Sequence, residues 1–141
     1  MCSISNGGGD LQSSTADVAS CNYTARSFGL RNGMWLREAV RLCPGLVTLP
    51  YEFEVYSAIS KQFYEVIRGV SSQIQAVSCD ECYVKLSGLV EDKFRFMQEL
   101  KGKIREQTGL SCTVGLGDTL VQARVATKLG KPNGALYLDK Y

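Results

Sequence analysis

Between Phe53 and Val70, apolar residues recur at spacings of three and four (Tyr56, Ile59, Phe63, Val66, Val70), and from Gly69 onward that period gives way to strand-like runs. The break divides the chain into a helical first part and a mixed second part. In the first part, NYTARSF predicts a short helix stopped by Gly29. MWLREAVRLC predicts a second, ended by Pro44, and Phe53–Arg68 a third and longest one. In the second part, SQIQAVSC and CYVKLSG predict an antiparallel hairpin whose strands meet at Asp80-Glu81. A helix follows with Phe94, Met97, Lys101 and Ile104 on one side and Gly109 as its stop. LSCTVGLG then reads as a strand, TLVQARVATKLG as a helix, and GALYLD as a last strand after the KPNG turn. Three helices followed by β-β-α-β-α-β predict an α+β fold, a ferredoxin-like mixed β-sheet with helices on one face. Residues 1 to about 17 are Gly/Ser-rich and aperiodic, and read as a loop or flexible lead-in.

Composition narrows the functional classes. The 141 residues amount to one domain's worth of chain, and a net charge of +2 is too small to argue nucleic-acid binding by itself. No apolar run approaches the roughly 20 residues that span a bilayer, so no membrane partner is expected. MCSISNGGGDLQSS has neither an apolar segment nor a basic flank, which argues against a secretory signal. Six cysteines at irregular spacing, with no export signal, read as reduced thiols of a cytosolic or nuclear protein.

The hairpin sequence AVSCDECYVKL offers two sets of reactive groups, Cys79 and Cys82 or Asp80 and Glu81. A structural zinc site needs four ligands, and the chain has no histidine and no second Cys-x-x-Cys. A redox pair would open a helix, whereas these flanks are strand-like and two carboxylates between the sulfurs raise the thiol pKa. The cysteines therefore read as small apolar residues packing within strands. The acid pair has two readings of its own: two exposed acids at a surface turn, or two oxygen ligands for a divalent cation. Only at a strand end or turn can adjacent side chains reach one ion.

Other clusters weigh on that choice. Tyr23 and Arg26 fall three apart on one face of a short helix, Asn32 lies on the turn beyond, and Lys131 sits at a helix end beside Pro-Asn-Gly. Each alone suits a solvated surface. Arginine grips phosphate bidentately and lysine adds a point charge, so with an acid pair these are the parts of a metal-assisted phosphoryl or nucleotidyl transfer site.

Val18–Pro50 (VASCNYTARSFGLRNGMWLREAVRLCPGLVTLP), AVSCDE and TVGLG…KLGKPNG resemble, in the same order, the Y-family translesion DNA polymerases, and most closely their reversionless-type deoxycytidyl transferase branch. The resemblance covers about Thr15 to Tyr141. It implies a lead-in over residues 1–19, a helical fingers subdomain over 20–54 and an incomplete palm over 55–141, without thumb or little finger. It further implies that Asp80 and Glu81 are catalytic carboxylates holding two Mg²⁺ ions. Ser20, Tyr23, Arg26 and Asn32 would hold the incoming triphosphate from the fingers, and Lys131 from the palm. The implied reaction is dCMP transfer from dCTP to a primer 3′-hydroxyl opposite damaged or abasic template. Other translesion polymerase subunits would be partners, and the nucleus the compartment. Arg26 and Tyr23 should then face the same space as Lys131 and the acid turn.

The chain departs from the family pattern at two places. No Asp-x-Asp-like segment supplying the first metal aspartate precedes Ser20, and Thr119 stands where the family usually has asparagine. The expectation is a polymerase core fragment, the alternative a catalytically inactive fragment acting as a binding or interaction module. An RNA-binding module would need a Gly-aromatic stacking pattern on its strands, and CYVKL and SCTVGLG lack one.

Overall fold

The computed structural model describes residues 2–4, 14–88 and 90–139, and the chain divides into two compact units, Met1–Phe53 and Glu54–Tyr141. Residues 5–13, most of the expected lead-in, lie outside the described residues.

In the first unit, strand β1 (Cys2–Ile4) pairs antiparallel with β2 (Val18–Cys21) and parallel with β3 (Thr48–Leu49). The sequence reads as helical over this part and predicts none of these three strands. Segments of two to four residues are too short to show a period, and backbone pairing decides them instead. The register slips between Ser3 and Ile4, which skips Ala19 and resets the alternation of β2. Val18 and Cys21 are thereby both buried although three residues apart. Helix α1 (Tyr23–Ser27) is shorter than NYTARSF, because Asn22 is its cap, the side-chain oxygen accepting from the Ala25 amide at 2.9 Å. Helix α2 (Leu36–Leu42) buries Leu36 and Ala39. Val18, Cys21, Ala25, Leu30 and Ala39 form this unit's core.

The second unit opens with α3 (Phe53–Arg68), whose first residue closes the preceding unit, and continues with β4 (Ile74–Ala76) and β5 (Cys82–Val84). Next come α4 (Lys93–Thr108), β6 (Val114–Gly117), α5 (Leu120–Gly130) and β7 (Ala135–Leu138). The helix ends carry the expected signals. Gly109 closes α4 at φ 71°, and Thr119 opens α5 in a reciprocal capping box with Gln122. β4 and β5 pair antiparallel, β6 and β7 parallel, in two short ladders. Ile67, Leu100 and Ile104 form the core, with Phe63, Val66, Cys82, Val84, Cys112 and Val114 packed on it.

The buried stripe of α4 is Met97, Leu100 and Ile104, while Phe94, expected inward, is 62% exposed. In α3 the most buried residue is Ile67, one position off the expected stripe. The mixed α+β architecture holds, with α5 as the exception to helices on one face. Val114 reaches the α3–α4 core, whereas a Cβ on neighbouring Gly115 would run into the α5 backbone at Ala123 and Thr127. Successive strand residues face opposite ways, so α5 covers the other side of β6.

Candidate functional site

Asp80 and Glu81 sit at the tip of the β4–β5 hairpin, where Ala76 faces Cys82 and both the Val77 and Ser78 amides donate to the Glu81 carbonyl at 2.9 and 3.0 Å. Such a turn is the one place where neighbouring acids can point toward one ion, and both are exposed. Helix α3 holds the turn from below. The Tyr64 hydroxyl donates to the Ser78 carbonyl at 2.6 Å with the Glu81 carbonyl 3.1 Å away, and the Ser60 hydroxyl donates to the Cys79 carbonyl at 2.7 Å. The Ser78 hydroxyl donates to the Asp80 carboxylate at 2.6 Å, fixing one of its oxygens. Burial first, then the charges of Cys82, Asp80 and Cys79, holds the Tyr64 hydroxyl above the ordinary tyrosine range. It therefore remains a donor to the turn.

The two cysteines differ. Cys82 is half-buried on β5, and burial with Glu81 beside it pushes its thiol up. Cys79 is exposed within the turn, so the expectation that both pack within strands is correct for Cys82 only. The five cysteines whose side chains are described are free.

Lys131 is the C-terminal cap of α5 and is exposed, followed by a cis Lys131–Pro132 bond and Asn133 at φ 53°. Two further residues of this unit, unmarked by the sequence reading, connect α5 to the hairpin. Arg124 on α5 donates through Nη1 to the Tyr83 hydroxyl at 2.9 Å. Tyr83 is two residues beyond Glu81, on the same side of the strand direction. Seven residues separate Arg124 from Lys131, two helical turns, so they share a side of α5 at about 10 Å of axial rise. Those two spacings, i+2 from an acid and i+7 to a lysine, were the available signal.

In the first unit, Tyr23 and Arg26 occupy α1 with the guanidinium 5.8 Å from the ring centroid. Arg26 spends its Nε on the Cys21 carbonyl at 3.0 Å, which anchors the side chain, and among the described residues its Nη edge is open. Ser20 is exposed on β2, and Asn32 is exposed in a turn pinned by the Gly33 amide donating to the Val18 carbonyl at 2.7 Å. Tyr23, Arg26, Ser20 and Asn32 thus belong to one unit, and Asp80, Glu81 and Lys131 to the other.

The family model of the impB/mucB/samB proteins matches residues 5–128. The chain belongs to the Y-family of DNA polymerases. This Y-family chain is 39% identical over 131 residues to DNA repair protein REV1 of Arabidopsis thaliana, covering 92% of itself and 12% of that protein. It is 40% identical over 136 residues to DNA repair protein Rev1 of Drosophila melanogaster, covering 94% of itself and 14% of that protein. The crystal structure of DinB from Sulfolobus solfataricus shares its fold, with a TM-score of 0.86 and 24% identity over 98% of this chain and 40% of that one. The Y-family chain therefore spans a small part of the length of these relatives.

As a donor set for the family's divalent metals, the acid turn fits in kind, since carboxylate oxygens are the ligands hard cations take. In number it is partial. Among the described residues no group of three or more acidic, cysteine or histidine side chains is placed to hold one ion. No described helix is long and apolar enough to cross a membrane.

Proposed function

We propose that this chain is the fingers (residues 20–54) and part of the palm (55–141) of a translesion polymerase core that transfers dCMP from dCTP to a primer 3′-hydroxyl. The observation that carries the reading is the exposed Asp80–Glu81 turn, braced by Ser60 and Tyr64. The brace fixes the backbone that carries two exposed carboxylates, which a cation site needs and a merely solvated turn does not. Asp80 and Glu81 would hold Mg²⁺, which supplies charge neutralisation and activates the attacking hydroxyl. Ser20, Tyr23, Arg26 and Asn32 would bind the triphosphate from the fingers and Lys131 from the palm, Arg26 presenting its free Nη edge bidentately. The relatives named as DNA repair proteins support damaged primer-template DNA as the partner and the nucleus as the compartment. Further polymerase subunits would be partners as well.

Isothermal titration of Mg²⁺ with dCTP tests this. The wild type should bind weakly and Asp80→Ala should lose the metal-dependent part of the heat. Equal heats from both would remove the carboxylates from the reading.

A further inference from the structure

Arg124 stands beside the acid hairpin with no part in the metal or triphosphate site proposed for this chain. Its guanidinium is held at a fixed point, Nη1 being bonded at 2.9 Å to the hydroxyl of Tyr83, which lies next but one to Glu81. The side chain is otherwise exposed, so this bond rather than packing sets its position. Tyr83 links Arg124 to the strand that leads out of the acid turn, with no ion pair between Arg124 and Glu81: among the described residues the ion pair in contact is Arg95–Glu99 on α4. Arg124's affinity for its proton is nevertheless raised, first by the bond to Tyr83 and then by the charges of Tyr83 and Glu81. A permanent cation beside an acid pair does two things. It offsets the repulsion between the carboxylates while no metal is bound, and it competes by charge with any cation that arrives.

We propose that Arg124 is the resident counter-charge of the Asp80–Glu81 turn, fixed by Tyr83, and that it sets the turn's cation affinity low. The proposal rests on reading Asp80 and Glu81 as metal ligands. Arginine serves here where lysine would serve less well, because one edge of the fork can bond the tyrosine while the charge stays delocalised toward the acids. The consequence has a counterintuitive sign: removing a polar, hydrogen-bonded residue should improve metal binding.

The probe is Mn²⁺ alone, titrated into the full chain and followed by relaxation broadening of amide resonances. Wild type should broaden at Asp80 and Glu81. Arg124→Gln, which keeps a donor for Tyr83 and loses the charge, should bind Mn²⁺ about three- to tenfold more tightly at low salt, as expected for a unit charge acting on a divalent ion across roughly 6–12 Å of water. That gap should narrow as ionic strength rises. Arg124→Lys should return the affinity toward wild type. Arg95→Gln, which removes the same charge from α4, should leave it unchanged and so controls for net charge. Unchanged or weaker binding in Arg124→Gln, with wild-type broadening still centred on Asp80 and Glu81, would overturn this proposal alone. Wild-type broadening centred elsewhere would overturn the metal reading and this proposal with it.

Discussion

The two turns of the second unit that carry charged candidates are held by different means. The acid turn at Ser78–Glu81 is braced from outside its own sequence, by hydroxyls of Ser60 and Tyr64 that lie 19 and 14 residues from the carbonyls they bond. The Lys131–Gly134 turn is held mainly by its own backbone. Gly134 lies so close to the Gly130 carbonyl that a Cβ there would collide with it. Two contacts from outside are added, the Lys101 ammonium donating to the Asn133 carbonyl and the Val114 amide donating to the Gly134 carbonyl at 3.1 Å. A turn fixed by close backbone approach tolerates no side chain at one position. A turn fixed by hydroxyls tolerates many side chains but loses its brace one hydrogen bond at a time.

Glycine substitution should break the comparison most strongly. Gly134→Ala puts a methyl into backbone that cannot yield as a flexible side chain would, and Gly115→Ala does the same between β6 and α5. Each should cost about 2–3 kcal/mol by chemical denaturation, the upper range for overpacking. Gly102 offers the opposite sign. It lies inside α4 with nothing within 4 Å of a Cβ, so Gly102→Ala should stabilise by about 0.5–1 kcal/mol. If all three variants moved stability alike, close approach would not be what holds the second turn.

The hydroxyl brace should respond more mildly. Tyr64→Phe removes the 2.6 Å bond to Ser78 and should cost about 1 kcal/mol. Hydrogen exchange should quicken at Val77 and Ser78, whose amides close the turn on Glu81, and stay unchanged in β7. Exchange that quickened equally in both places would mean the two turns unfold as one piece.

How far the site could be read in advance follows the same division. KPNG announces its turn locally, and SCDE between two strand-like runs announces a hairpin tip, so both charged turns were legible from nearest neighbours. The braces were not. Nothing in SAISKQFYEV marks Ser60 and Tyr64 as donors to a turn beyond the next strand, and the helical period lists Phe63 while passing over Tyr64. Arg124 escaped for the same reason, since its partner Tyr83 is 41 residues away. The strand Cys2–Ile4 escaped because its evidence lies in β2 and β3, between which it pairs. The stripe of α4 was misplaced at its first turn, where Phe94 is apolar but exposed and Met97 and Leu100 carry the packing. Long periodic helices were legible in extent, and less so in which apolar residue faces inward.

The cysteines of the acid turn sharpen the contrast at smaller scale. Cys82→Ala should cost about 1 kcal/mol for a half-buried thiol, whereas Cys79→Ala should stay within about 0.5 kcal/mol. A maleimide should label Cys79 before Cys82, because burial both shields the Cys82 sulfur and raises its thiol pKa. Equal labelling rates would place Cys82 in solvent and loosen the packing of β5 on Ile67 and Leu100.

The smallest expected effect falls on the one side-chain contact given to the basic turn from a distant helix. Lys101 is half-buried on α4, and its ammonium bonds the Asn133 carbonyl while lying close enough to Cys112 to act on it. Burial pushes the Cys112 thiol up, and the Lys101 charge opposes that by favouring the thiolate. Lys101→Met keeps most of the side chain's volume and removes the charge, so the opposing influence disappears and the thiol should rise further. At a fixed alkaline pH the thiolate fraction falls, and the pH profile of Cys112 alkylation should move to higher pH. Stability should drop by only about 0.5 kcal/mol, because the turn keeps its backbone packing at Gly134 and loses one solvent-exposed hydrogen bond. A loss as large as that of Gly134→Ala would reverse the order of the two contacts and make the basic turn, like the acidic one, dependent on a side chain from a distant helix.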